Sequence, residues 1–277
     1  MLTANARAVL TFVISALAWH HRGMSPETRE PGQASEQSAQ ARRTPRQVAR
    51  EANLARIKEL ALGQLATEGA AGLSLRAIAR ELNLVSSAIY RYYASRDDLL
   101  TDLVIDAYRD LAAALTGDGR GQSGREAWVE VCLRLRDWAL AQPHRYLLLY
   151  GSPVPGYRAP ESTIEPASEV MRALVRPAWS ASPALLSVPV PPRLADELAA
   201  VAATLGGAPG QWAPGQWEGE QQSVVSSTTM LRLAGAYAKV HGLVLLEVNG
   251  QFVGGFEPAD LLFRAAVEDE ADRLGLA

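Results

Sequence analysis

From residue 46 to residue 68 no proline interrupts the chain, and Ile57, Leu60, Ala61 and Leu65 recur at the three- and four-residue spacing that lines up one side of an α-helix. Gly69 follows, the residue type that most readily ends a helix in a left-handed conformation, so the spacing predicts a first helix over 46–68. Behind Ser74, a favoured capping residue, Leu75, Ile78, Ala79 and Leu82 repeat the same spacing over a shorter stretch. This second helix must bury its stripe against the first. Asn83 then supplies the left-handed residue that a tight interhelical turn needs. A third helix of about two turns, capped by Ser86 or Ser87, turns Ile89 and Tyr93 inward and leaves Ser87, Ala88, Arg91 and Tyr92 outside. Ser95, Arg96, Asp97 and Asp98 read as a capping box with acids in the first turn. They open a fourth helix that carries Leu99, Leu100, Leu103, Ala107 and Leu111 inward and ends at Gly117.

Helical spacing continues over 125–141, 146–150, 164–176, 193–205, 223–247 and 258–274, with Pro258 suited to a first helical position. Proline-rich loops over 152–160 and 177–192 separate these pieces, and the Gly-, Pro-, Gln- and Trp-rich stretch 206–222 reads as an exposed or ligand-covering loop. No period-two strand pattern and no internal repeat competes. The predicted class is therefore all-α: a three-helix helix-turn-helix domain over 46–96, with the motif itself at 74–93, then a larger helical domain over 97–277.

Composition agrees with a soluble globular protein: of 277 residues, 48% are hydrophobic and 21% charged, enough for two domains with their own cores. Cys132 is the only cysteine, which excludes an intrachain disulfide or a cysteine-rich zinc site and points to a reducing cytoplasm. Residues 8–19 after Arg7 resemble a signal-peptide core but are too few to span a bilayer, so no membrane partner is expected. Residues 25–45 are polar and expected to be disordered, and translation is expected to start near Met24, making 1–23 an artefact or a disposable extension and 1–45 as a whole a disordered or wrongly assigned N-terminal extension.

Charge changes the picture by its distribution. The chain carries a formal net charge of −3, yet from Arg42 to Arg96 ten Lys and Arg face four Glu before Asp97, a net of +6, which leaves −9 elsewhere. A basic segment on an acidic body suits a chain that meets phosphates at one end. A short helix, a tight turn and a second helix with small outward residues can enter the major groove of double-stranded DNA. Ser86, Ser87, Ala88, Arg91 and Tyr92 would face the bases and backbone, with Tyr90 equally readable as core. Ser74 and Arg76 at the start of the second helix, and Arg96 at the start of the fourth, are candidate phosphate contacts, whereas Arg80 reads as a solvated face. Arg42, Arg43 and Arg46 would form a flexible basic arm.

The stretch GAAGLSLRAIARELNLVSSAIYRYYASRDDLL, residues 69–100, resembles the DNA-binding domain of the tetracycline-repressor (TetR) family. Gly69, Ser74, Ile78, Ala79, Leu84, Val85, Ser86, Ile89, Tyr90, Tyr93, Ser95, Arg96 and Leu99 fall at its spacing. Asn83 stands where that family usually has glycine, Tyr93 where phenylalanine is common, and Arg96 where lysine is frequent. Residues 144–160, and the run from Tyr237 to Gly242 with Leu246, Glu247 and Gly250, resemble the family's Trp-His-Gly type of C-terminal domain, with Tyr237 in the tryptophan position. The resemblance implies a homodimer through the last two helices, two recognition helices on a near-palindromic operator, and a small-molecule effector.

Trp128, Trp138, Tyr146, Tyr150, Tyr157 and His241 are candidate walls for that effector, although a core role fits most of them better. Trp212 and Trp217 lie in the glycine-rich loop. Four scattered histidines and one cysteine offer no metal spacing, no nucleophile elbow and no phosphate loop, so neither an enzyme, a metal nor a cofactor is expected; Glu247 and Asp260 read as isolated acids. A constitutive or architectural DNA-binding protein without effector is the alternative.

Overall fold

The computed structural model describes residues 44–116, 124–178, 190–206 and 227–276. The expectations for residues 1–43, with Met24, Arg42 and Arg43, for Gly117, and for the loop carrying Trp212 and Trp217 lie outside the described residues. Those residues form α-helices joined by turns and short 3-10 segments, with no strand among them, as the all-α class requires. They divide into two compact units between Leu103 and Val104, seven residues beyond the boundary expected from the motif.

The first unit opens with α1, Pro45–Glu68. The Gln47 N–H donates to the Thr44 hydroxyl at 3.3 Å, the Thr44 N–H donates to Gln47 Oε1 at 2.8 Å, and Pro45 takes the first helical position, where no N–H is needed. Arg46 therefore sits in the first turn of a capped helix, not on a flexible arm. Ile57, Ala61, Gln64 and Leu65 form the buried face, and Gly69 at φ +68° ends the helix. In α2, Leu75–Glu81, the buried residues are Leu75, Ile78 and Ala79, and the Ser74 hydroxyl accepts from the Ala77 N–H.

A two-bond closure ends α2. The Leu84 N–H donates to Ala79 O at 2.9 Å and the Asn83 N–H to Arg80 O at 3.1 Å, with Asn83 left-handed at φ +53°. That closure uses the chain up to Leu84, so Val85 is already extended and its carbonyl accepts the first bond of α3 from the Ala88 N–H at 2.8 Å. The cap of α3, Ser86–Ile89, is consequently Val85 and not a serine, and both serines lie in the first turn. Only four residues are regular helix; bonds from the Arg91, Tyr92 and Tyr93 N–H groups continue it as turns. The first two turns of α4, Arg96–Thr116, bury Leu99, Leu100 and Leu103, and the Ser95 hydroxyl accepts from the Asp98 N–H.

The larger unit holds α5, Arg125–Ala141; α6, Pro143–Tyr150; α7, Ile164–Val175; α8, Pro192–Gly206; α9, Ser227–Val248; and α10, Ala259–Leu274. Its core joins Trp128, Leu135, Tyr146, Leu233, Val244, Phe263 and Leu274, and burying each such side chain contributes about 1.5–3 kcal/mol. The Trp128 indole N–H donates to Val267 O at 3.0 Å and ties α5 to α10. Pro258 caps α10 from outside the helix, so it is not the first helical residue. Glu247 is not isolated either. Arg136 grips it from α5 with Nε and Nη2 at 2.8 and 2.5 Å, at side-chain exposures of 13% and 11%.

Candidate functional site

The outward side of α3 and the turn after it combine small, polar and cationic groups. Ile89 and Tyr93 are buried, whereas Ser86, Ser87, Tyr90 and Arg91 are exposed and Ala88 is half-buried. Val85 leads the helix with 72% of its surface exposed. Tyr90, open to two readings from the sequence, is on the outside at 44% exposure. Arg46, Arg76 and Arg91 are exposed, and among the described residues no carboxylate pairs with them. Guanidinium groups in that state carry five N–H donors each, suited to phosphate or to guanine edges.

The same segment is anchored from beneath. Asn53 of α1 donates to the Tyr92 hydroxyl at 2.8 Å, and the Arg50 guanidinium lies 5.3 Å from the Tyr92 ring centre while donating to Arg91 O at 3.4 Å. Tyr92 is thus half-buried against α1 rather than fully outward. Tyr93 donates to Asp102 at 2.6 Å, and Lys58 of α1 pairs with the same carboxylate at 2.8 Å. Gln64, buried in α1, accepts from the Ser74 N–H at 2.9 Å and fixes where α2 begins. Arg96 faces inward. Its Nε donates to Leu73 O at 3.2 Å and its Nη2 to Ala70 O at 2.6 Å and Ala71 O at 3.3 Å, closing the connection before α2.

In the larger unit the ligand candidates separate into two groups. Trp128 and Trp138 are buried with their N–H groups committed, to Val267 O and to Asp110 at 3.0 Å, and act as core. Tyr146, Tyr150 and His241 come together. The Tyr146 hydroxyl lies 3.1 Å from His241 Nδ1 and 3.2 Å from its carbonyl oxygen, and the rings of Tyr150 and Tyr237 lie 4.3 and 4.2 Å from the imidazole. Burial holds His241 neutral, lowering its pKa to about 3, and pushes the Tyr237 hydroxyl up to about 12 and those of Tyr108, Tyr146 and Tyr150 higher still. Burial likewise raises the Cys132 thiol, which is inert as expected for a buried hydrophobe. An apolar hollow beside Trp128, Leu174, Leu233, Tyr237 and Val240 holds about 10 Å³, the room roughly one water needs. Among the described residues no His, Cys, Asp and Glu cluster could hold a metal.

Residues 57–103 match the model of the bacterial regulatory proteins of the tetR family, and residues 128–269 match that of the tetracyclin repressor-like C-terminal domain. The chain belongs to the TetR family. The HTH-type transcriptional regulator Rv1816 of Mycobacterium tuberculosis is 52% identical over 119 residues, which is 42% of this chain and 50% of that protein. The HTH-type transcriptional repressor SCO4008 of Streptomyces coelicolor is 32% identical over 100 residues, 36% of this chain and 49% of that one. The chain thus spans about half the length of the curated relatives it matches. The crystal structure of SCO4313, described as a regulatory protein, matches at a TM-score of 0.63 and 33% identity, covering 82% of this chain and 98% of that one. The names of these curated relatives are those of regulators.

What the sequence did not reveal in this TetR-family chain is the support beneath α3. Asn53 and Arg50 lie on the polar side of α1, and nothing in their spacing points at partners some forty residues on. Tyr108 is likewise not legible as part of the cluster at His241, because its contact with Tyr150 joins α4 to α6, whereas Tyr237 stands four residues before His241 on α9.

Proposed function

We propose that this TetR-family chain is a cytoplasmic, ligand-responsive repressor that binds a near-palindromic operator as a homodimer and is released by a small molecule. The observation that carries this is the exposed side of α3, where Ser86, Ser87, Tyr90 and Arg91 stand free of the core while Ile89 and Tyr93 fix the helix from within. Arg91 with Ser86, Ser87 and Ala88 reads base edges; Arg46, Ser74, Arg76, Tyr90 and Tyr92 meet backbone phosphates. Arg96 acts through the connection it holds, because its donors already serve three carbonyl groups.

The homodimer forms through α9 and α10, whose exposed Ala234, Ala238, Leu246, Leu261 and Ala265 suit close packing against a second copy. No helix among the described residues is long and apolar enough to cross a membrane, which supports a cytoplasmic site of action. The effector binds around Tyr146, Tyr150 and His241 rather than at Trp128 and Trp138, whose polar atoms are already used. A ligand that favours the DNA-free form weakens operator binding by the same factor as DNA weakens ligand binding. The small hollow beside Tyr237 favours a second reading, a constitutive DNA-binding protein without effector.

Footprinting of the DNA upstream of the protein's own coding sequence separates the two. Two protected half-sites about one helical turn apart, lost on adding a metabolite extract, is the expected result. Protection that no extract alters selects the constitutive reading, and no protection at low salt removes both.

A further inference from the structure

His241 of α9 has only 9% of its surface exposed, and its Nε2 has no hydrogen-bond partner among the described residues. The fold satisfies the other ring nitrogen through the Tyr146 hydroxyl and leaves this one, an arrangement uncommon enough to need a cause. Aromatic rings surround it: Tyr150 and Tyr237 at 4.3 and 4.2 Å from the imidazole centre, and Tyr108 edge-on to Tyr150 at 6.3 Å. Tyr146 is fully buried, whereas Tyr108, Tyr150 and Tyr237 are each only partly so, and the cluster therefore reaches from the interior to the surface.

We propose that His241 Nε2 is the polar anchor of a site for small, uncharged aromatic alcohols, whose ring lies among Tyr108, Tyr150 and Tyr237 while the hydroxyl pairs with that nitrogen. This rests on the effector reading above and supplies its ligand class. A hydroxyl both donates and accepts, so it satisfies Nε2 in either imidazole tautomer, which a purely donating or accepting group does not. The surroundings reject charge. Burial alone accounts for the neutral imidazole, and burial is the leading cause at all four tyrosines, so an ion entering here loses its hydration without gaining a counter-charge. Tyr237 borders both the imidazole and the small hollow with Trp128 and Val240, and that hollow, the size of one water, has to widen for a ring to enter.

Phenol, toluene and benzoate share one ring and differ at one group, and titrating each into the full-length protein tests the proposal. Histidine 15N chemical shifts and the thermal midpoint are the readouts. Phenol is expected to bind at least about fivefold tighter than toluene and to move the Nε2 resonance of His241, whereas benzoate should have no effect. His241→Phe keeps a ring and removes the nitrogen, and the phenol preference over toluene should vanish in it. Equal binding of phenol and toluene, preferential binding of benzoate, or an Nε2 resonance unmoved at saturating phenol overturns the proposal. Should His241→Phe not fold, the resonance of the wild-type protein decides alone. Operator binding measured beside it distinguishes the two failures: phenol bound at His241 with DNA affinity unchanged removes the effector reading and leaves the site standing.

Discussion

Asn53 of α1 and Tyr92, 39 residues apart in the chain, are joined by a hydrogen bond of 2.8 Å from the amide nitrogen to the phenolic oxygen. With Arg50 beside the same ring, this bond fixes the turn that carries Arg91. Asn53→Ala should lower the stability of the small unit by about 1 kcal/mol, the usual worth of one such bond. Operator affinity should fall a few-fold with it. Chemical denaturation and a binding titration on the upstream DNA check both, and a variant unchanged in each would show that Tyr92 needs no support.

Arg91 is exposed and unpaired among the described residues. Arg91→Ala should cost about 1–3 kcal/mol on the preferred operator and relax the base preference at one position, if the guanidinium grips a guanine. The comparison is between the specific site and random DNA. A loss of equal size on both would move Arg91 to the phosphate backbone.

Arg96 donates to the carbonyl groups of Ala70, Ala71 and Leu73. Arg96→Lys keeps the charge but cannot reach three carbonyls from one planar fork. We expect the small unit to lose about 1–3 kcal/mol, with operator and random DNA binding falling together as the connection before α2 loosens. Melting followed on the small unit, at unchanged net charge, is the measurement, and a full-strength Arg96→Lys protein would return Arg96 to direct phosphate contact.

The buried imidazole of His241 makes stability depend on pH. Its pKa is about 3 in the folded state against an ordinary value of 6.5. Between those values the unfolded chain binds a proton that the folded chain does not, so stability falls as the solution is acidified below 6.5. The loss attributable to this group should reach about 2 kcal/mol by pH 5, at 1.4 kcal/mol per pH unit. His241→Gln should lack that component, and parallel pH profiles for the two proteins would show that the imidazole protonates in place.

The helices were legible because each declares itself within a few turns. Ile57, Ala61 and Leu65, or Leu75, Ile78 and Ala79, sit at fixed short spacings, and Gly69 and Asn83 mark ends that the backbone then confirms with positive φ. The exposed side of α3 was legible for the same reason, since burying Ile89 and Tyr93 leaves Ser87 and Arg91 outside, whereas Tyr92 is held half-inward by Asn53. The cap of α3 was not, because serine's preference for capping is outweighed by where the preceding turn finishes, and that depends on two backbone bonds closing α2. Arg96 reads from the sequence as a phosphate contact by its charge and its place at the start of α4, while the carbonyls it serves lie more than twenty residues upstream. The meeting of Tyr108, Tyr150 and His241 depends on how α4, α6 and α9 pack, which no local spacing encodes, whereas Tyr237 and His241 stand four apart on α9.

Arg136 and Glu247 show what such distant meetings impose on descent. Each is almost enclosed, and each is the other's answer, so removing either strands a charge at a cost of about 3–5 kcal/mol, a large part of what holds a domain of this size together. Two codons 111 positions apart are thereby bound into one heritable unit. Replacing both residues together by apolar ones avoids the stranded charge, and replacing one alone does not.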